Sequence, residues 1–171
     1  MRRRLYKERS RSHRFFSNSN IFPKEEYDKR LKEVRKAAES FGAKLVEDDY
    51  DHESWLKAAL GDENGPADGE GGERCKKCFY YRLLRAANFA KKNDSAFLTT
   101  LGVSPYKNDQ MVNAAGRAAE KETGAEFIPL DVLGEKSALW KESLKVSKEM
   151  AMYRQKYCGC EFSLFDKNRK K

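Results

Sequence analysis

Along residues 24–41 the apolar positions Tyr27, Leu31, Val34, Ala38 and Phe41 recur at spacings of three and four, with lysines and glutamates between them. That period predicts an amphipathic helix with one buried stripe, entered after Pro23 and left at Gly42. Residues 43–47 then predict a short strand. A second helix follows over 53–60, presenting Trp55, Leu56, Ala59 and Leu60. Residues 61–74 hold five glycines, one proline and no bulky apolar side chain, which predicts a loop inside the domain. That loop delivers Cys75 and Cys78 to a helix ending near Lys92, with Phe79, Leu83, Ala86, Ala87 and Ala90 on its inner face. A strand over 96–100 leads into a loop at 101–108, and Asp109 is a candidate cap for a helix that Gly124 ends. A strand over 126–130, a helix over 137–153 and a short aromatic tail segment with Phe162 and Phe165 complete the pattern. Short apolar strands alternating with helices predict an α/β fold, a three-layer domain with a mainly parallel sheet. At the start of the chain only Arg14-Phe15-Phe16 suggests an edge of that sheet.

Charge changes the picture less than its total implies. The 171 residues carry 35 Lys or Arg and 27 Asp or Glu, for a net charge of +8. The basic excess sits at the ends: residues 1–14 and 166–171 together sum to +9, leaving 15–165 at −1. A nearly neutral body has little electrostatic affinity for a polyanion, so any phosphate contact falls to the two basic tails, expected to be disordered. The domain itself is expected over 15–165. No apolar run approaches the roughly 20 residues of a membrane span, and no apolar segment follows the early arginines as a secretory signal requires. A cytoplasmic protein is expected.

Four cysteines are sparse for a disulfide scaffold, and their arrangement as Cys75-Lys76-Lys77-Cys78 and Cys158-Gly159-Cys160 suits shared metal ligation. The first pair sits at a helix start, where exposed amides favour thiolates. The second needs a sharp backbone turn, for which Gly159 has the freedom. Four thiolates satisfy either zinc or an iron-sulfur cubane, and spacing does not separate the two. A redox dithiol at 75/78 and four unrelated thiols are the other readings. Arg74, Lys76 and Lys77 favour an anionic centre nearby, and Tyr80, Tyr81, Tyr153 and Tyr157 are candidates for an aromatic shell. His13 and His52 have no ligand-like spacing. Ser104-Pro105-Tyr106-Lys107-Asn108 places a hydroxyl, a phenol, an ammonium and an amide on a proline-stiffened turn after a strand, where ligands of open α/β sheets collect.

In order along the chain, Phe15 to Pro23 with Glu26 and Tyr27, Gly71 to Cys78, Thr99 and Thr100 with Ser104 to Asn108, and Tyr153 to Ser163 resemble the epoxyqueuosine reductase QueH family. The resemblance covers nearly the whole chain, about 15–165. It implies a Rossmann-like, nucleotide-hydrolase-type fold and iron-sulfur-dependent reduction of epoxyqueuosine to queuosine in tRNA. It implies further that Cys75, Cys78, Cys158 and Cys160 ligate a 4Fe-4S cluster, that Ser104 and Asn108 border the base pocket, and that an external donor supplies electrons. Tyr106 and Lys107 are the expected proton donors, with Asp49 and Asp51 as candidate acids near metal. The family pattern opens with a buried strand that carries two adjacent cysteines and a third nearby, whereas no cysteine precedes Cys75 here. Four thiolates thus stand where the full set is seven, and a second iron is expected only if the early cysteines exist. The expectation is a fold truncated at its first strand by a misassigned start, since at about 25 cal/mol per Å² the few hundred Å² exposed by losing a central strand rival a domain's stability. A metal-stabilised RNA-binding module, with zinc or a single cluster, and an inactive remnant are the alternatives.

Overall fold

A computed structural model describes residues 12–61 and 69–169 of the chain. Strand β1, His13–Phe16, pairs in parallel with β2, Lys44–Glu47, so that His13 lies opposite Lys44 and Phe16 opposite Glu47. Helix α1, Lys24–Ser40, is the crossover between them. Its buried stripe of Tyr27, Leu31 and Ala38 follows the helical period of the sequence. Phe16, Ile21, Tyr27 and Leu31 form one small core with Val34, Leu45 and Tyr50 at its margin.

Helix α2, His52–Leu60, begins at Asp51, whose carboxylate accepts the Ser54 N–H at 3.0 Å. It packs on α3, Glu73–Lys92, which in turn makes its most extensive contact with α4, Asp109–Thr123. Between α3 and α4 lies the largest core, built from Phe79, Leu83, Ala87 and Ala90 on one side and Val112, Ala115 and Ala119 on the other. Alanines at the contact let the two backbones approach closely. Phe97 and Phe127 fill the end of this core with ring centroids 5.3 Å apart. Gly116 makes that possible, because a Cβ there would lie 2.4 Å from the Phe127 ring. Helix α5, Lys136–Glu149, buries no side chain fully, and α6, Glu161–Arg169, follows the second cysteine pair.

The two cores are joined through α3. Phe15 of β1 stacks on Phe89 with centroids 4.4 Å apart. Just past β2, Asp48 receives Arg85 through two nitrogens, at 2.5 and 2.8 Å, and the Ser17 hydroxyl at 2.5 Å.

This architecture corrects the expected α/β fold. Among the described residues the protein is predominantly helical, with one two-stranded sheet rather than a Rossmann-like, nucleotide-hydrolase-type three-layer domain with a mainly parallel sheet. The strands expected over 96–100 and 126–130 reduce to a single parallel bridge, Phe97 with Phe127, made by the Phe97 N–H to Glu126 O at 2.9 Å and the Ile128 N–H to Phe97 O at 2.8 Å. Both segments soon leave extended geometry, turning into 3-10 helix at Leu101–Val103 and Leu130–Leu133. Pro129, lacking an N–H, cannot extend the second ladder. The aromatic tail segment is helical (α6), and the cap of α4 is Asn108, which accepts the Met111 N–H at 3.1 Å, rather than Asp109. The expected basic tails fall partly outside the described residues, with β1 taking in His13 and Arg14 and α6 running to Arg169.

Candidate metal centre

Cys75 and Cys78 occupy the first turns of α3, and Cys160 immediately precedes α6. Cys78 and Cys160 are both buried in one cluster with Trp55 and Ala59, and Tyr81 and Phe162 pack against it. A thiolate at Cys158 would raise the Cys75, Cys78 and Cys160 thiols further, behind the larger effect of burial. Burial pushes the Cys78 thiol up to about 11 against an opposing pull from Arg82, with Trp55 also lowering it. The Trp55 indole N–H lies on this side without reaching hydrogen-bond geometry to a partner. Burial likewise raises the Cys75 thiol, opposed by the Gly71 N–H that its sulfur accepts at 3.3 Å. Cys160 is raised by burial and drawn back by the Ser163 N–H at the start of α6.

Cations surround these sulfurs. The Lys107 ammonium lies 3.1 Å from the Cys158 sulfur and 2.7 Å from the Glu70 carboxylate. Burial would lower the Lys107 pKa, but Cys158 and Glu70 outweigh it and drive the value up. Arg74 is only 6% exposed, lies 4.2 Å over the Phe162 ring, and acts electrostatically on both Cys75 and Cys160. Its Nε has no hydrogen-bond partner, and no carboxylate among the described residues pairs with it. A buried cation without a counter-charge is costly. Thiols raised by burial are neutral and supply none, whereas four thiolates on a divalent or cluster centre do.

The turn that carries Cys158 and Cys160 is fastened to α1. Arg30 donates from Nη2 to Tyr157 O at 3.2 Å and from Nη1 to Cys158 O at 3.0 Å, while its Nε donates to Glu26 at 2.9 Å. Tyr153 closes the other Glu26 oxygen at 2.8 Å.

The family model for "Epoxyqueuosine reductase QueH" matches residues 1–166. The chain belongs to the QueH family. It is 36% identical over 157 residues to the epoxyqueuosine reductase QueH of Thermotoga maritima, a match covering 91% of this chain and 81% of that protein. The QueH proteins of Histophilus somni and Acinetobacter baylyi are 36% and 38% identical over 91% of this chain, covering 63% and 70% of their own lengths. The match thus spans about four fifths of the Thermotoga relative's length and under two thirds of the Histophilus relative's.

In this QueH family member the expected site residues are distributed unevenly. Lys107 reaches the cysteines. Tyr106 is 81% exposed, with its N–H on the Ser104 hydroxyl at 3.3 Å. Ser104 and Asn108 serve the turn and the α4 cap. Asp51 caps α2, and the Asp49 carbonyl lies 3.4 Å from the Ser19 hydroxyl. Of the four tyrosines, Tyr81 packs on the cysteine cluster, Tyr80 turns to Glu122, and Tyr153 and Tyr157 brace the turn from the α1 side. Sequence reasoning missed Arg30 and Glu26, whose (i, i+4) spacing signals a helix ion pair but not its grip on remote carbonyls. Among the described residues, no three His, Cys, Asp or Glu side chains form a group able to hold a single metal ion. Two of the four thiols, Cys78 and Cys160, share one buried cluster, and Arg74 beside them has no carboxylate partner among the described residues, a donor chemistry compatible with thiolate ligation. Among the described residues, no helix is long and apolar enough to cross a membrane.

Proposed function

We propose that this chain reduces epoxyqueuosine to queuosine in tRNA, with Cys75, Cys78, Cys158 and Cys160 holding a 4Fe-4S cluster. The observation that carries the reading is that Cys78 and Cys160, from two distant parts of the chain, are buried in one cluster beside Arg74, a buried cation with no carboxylate partner among the described residues. A cluster bound by four thiolates is anionic and compensates that charge.

Converting the epoxide to an alkene releases its oxygen as water and takes up two electrons and two protons. When bound, the cluster supplies those electrons one at a time from an external donor. The protein's own part is to hold the four sulfurs, limit water through Trp55, Tyr81 and Phe162, and bring the Lys107 ammonium to the sulfur edge. Lys107 is the better-placed proton donor to the opening epoxide oxygen. Tyr106 is the second candidate, and Ser104 and Asn108 remain the substrate-contact candidates on the same turn. A second iron would require the early cysteines of the family pattern. The tRNA is held in part by the basic ends, and the reaction is placed in the cytoplasm.

Anaerobic reconstitution tests the reading. About four irons and four sulfides per chain, with broad visible absorbance and single-turnover reduction of epoxyqueuosine in tRNA, would support it. One zinc in a colourless protein that binds RNA without reducing it would replace it with a metal-stabilised binding module. Unchanged single-turnover reduction in Tyr106→Phe would remove Tyr106 from the chemistry.

A further inference from the structure

We infer that Arg30, held by Glu26, is a positioning residue that sets the Cys158-Gly159-Cys160 turn before any metal arrives. This rests on the reading of the four cysteines as ligands. In an extended chain successive carbonyls point to opposite sides. Here the carbonyls of Tyr157 and Cys158 converge on one guanidinium, at 3.2 and 3.0 Å. The next two are taken as well: Gly159 O accepts the Phe22 N–H at 2.8 Å, and Cys160 O accepts the Leu164 N–H and the Ser163 hydroxyl, both at 3.1 Å. Four consecutive carbonyls are thereby engaged, a backbone fastening separate from the Lys107 contact to the Cys158 sulfur and the packing of Cys160.

The guanidinium is itself fixed. Its Nε donates to a Glu26 carboxylate that is only 8% exposed, Tyr153 occupies the second Glu26 oxygen, and the guanidinium carbon lies 5.3 Å from the centre of the Tyr157 ring. Gly159 sits at φ +139°, and a Cβ there would approach Arg30 Nη1 and Asn20 Nδ2 to 3.2 Å. Guanidinium, turn and the 18–22 loop therefore fit one another with no spare room. A planar fork reaches two carbonyls and a carboxylate at once, which a lysine ammonium on a flexible stem does not do in a fixed direction.

The test uses the full chain free of metal and then loaded. In the metal-free protein, hydrogen exchange at the Phe22 and Leu164 amides, which donate to Gly159 O and Cys160 O, should rise on the order of tenfold or more in Arg30→Ala. It should rise by a smaller factor in Arg30→Lys, while exchange in α3 around Cys75 and Cys78 stays as in the parent. Loaded anaerobically, Arg30→Ala should show an altered visible and paramagnetic spectrum and a shifted midpoint potential, with Arg30→Lys in between. Exchange at the Phe22 and Leu164 amides within twofold of the parent in both variants overturns the inference, as does an unchanged spectrum and potential in a loaded Arg30→Ala protein. If Arg30→Ala does not fold, Arg30→Lys decides by the same two readouts. A parent chain that takes up neither iron nor zinc refutes the ligand reading, and the exchange comparison then judges the turn-setting role alone.

Discussion

The two cysteine pairs are positioned by different physics. Cys75 and Cys78 ride on α3, so their separation follows from helical hydrogen bonds between neighbours in sequence, and α3 is anchored by Phe79, Leu83, Ala87 and Ala90 in the largest core. Cys158 and Cys160 have no such element beneath them, and their turn borrows donors from Arg30 and Phe22, more than 120 residues away in the chain. A pair built into a helix fails only when the helix does. A pair held by remote donors fails locally, while the rest of the fold persists.

The largest expected effect lies on the helix side. Leu83 is 3% exposed, and Leu83→Ala should cost about 2–5 kcal/mol by chemical denaturation, without changing amide exchange at Phe22 and Leu164 under conditions where the protein stays folded. Faster exchange there would mean that the two pairs share their support.

Asp48→Asn comes next, because it leaves a partly buried Arg85 without its charge partner, and about 1–3 kcal/mol is expected at neutral pH. Burial alone would raise the Asp48 pKa, but hydrogen bonds from Arg85 and Ser17 outweigh it and hold the carboxyl below its ordinary value. A folded value below the unfolded one means the stabilisation is fully present above the unfolded value of about 3.9 and is lost as pH falls through the folded value. Denaturation midpoints measured from pH 6 down to pH 2 should therefore fall below about pH 4 in the parent and fall less in Asp48→Asn.

Gly159→Val strikes the other pair alone. A β-branched residue at φ +139° is strained and meets Arg30, Asn20 and Ile21, so about 1–3 kcal/mol is expected. Metal uptake should suffer more than the melting temperature does. Equal losses in both would weaken the contrast between the pairs. Ser163→Ala, which removes one hydroxyl donor to Cys160 O, is the mildest at about 0.5–1.5 kcal/mol, read by the same denaturation curves.

What was legible in the sequence follows the same division. Helices α1 to α4 were readable within a few residues, because their apolar stripes and the Gly124 stop are local signals. The two strands that do pair were also readable, at 14–16 and 43–47, but the extent of the sheet was not: Phe97 and Phe127 are each one buried ring in a short apolar run, and whether such a run extends into a ladder depends on neighbours that periodicity does not report. Asp109 was a reasonable cap by residue type, but Asn108 caps instead, because the turn from Ser104 places it ahead of the first helical N–H. Lys107 was picked out by its chemistry, and its approach to Cys158 emerged only in three dimensions. Arg30 was not singled out at all, since nothing near residue 30 announces a carbonyl at 157 or 158.

The hollow left by Gly116 opposite the Phe127 ring makes these two positions a volume-exchange couple. Bulk added at one must be surrendered at the other, so Gly116→Ala alone should be poorly tolerated and Gly116→Ala with Phe127→Leu better than either change predicts by addition. Relatives that fold the same way are free to drift at these sites only in concert.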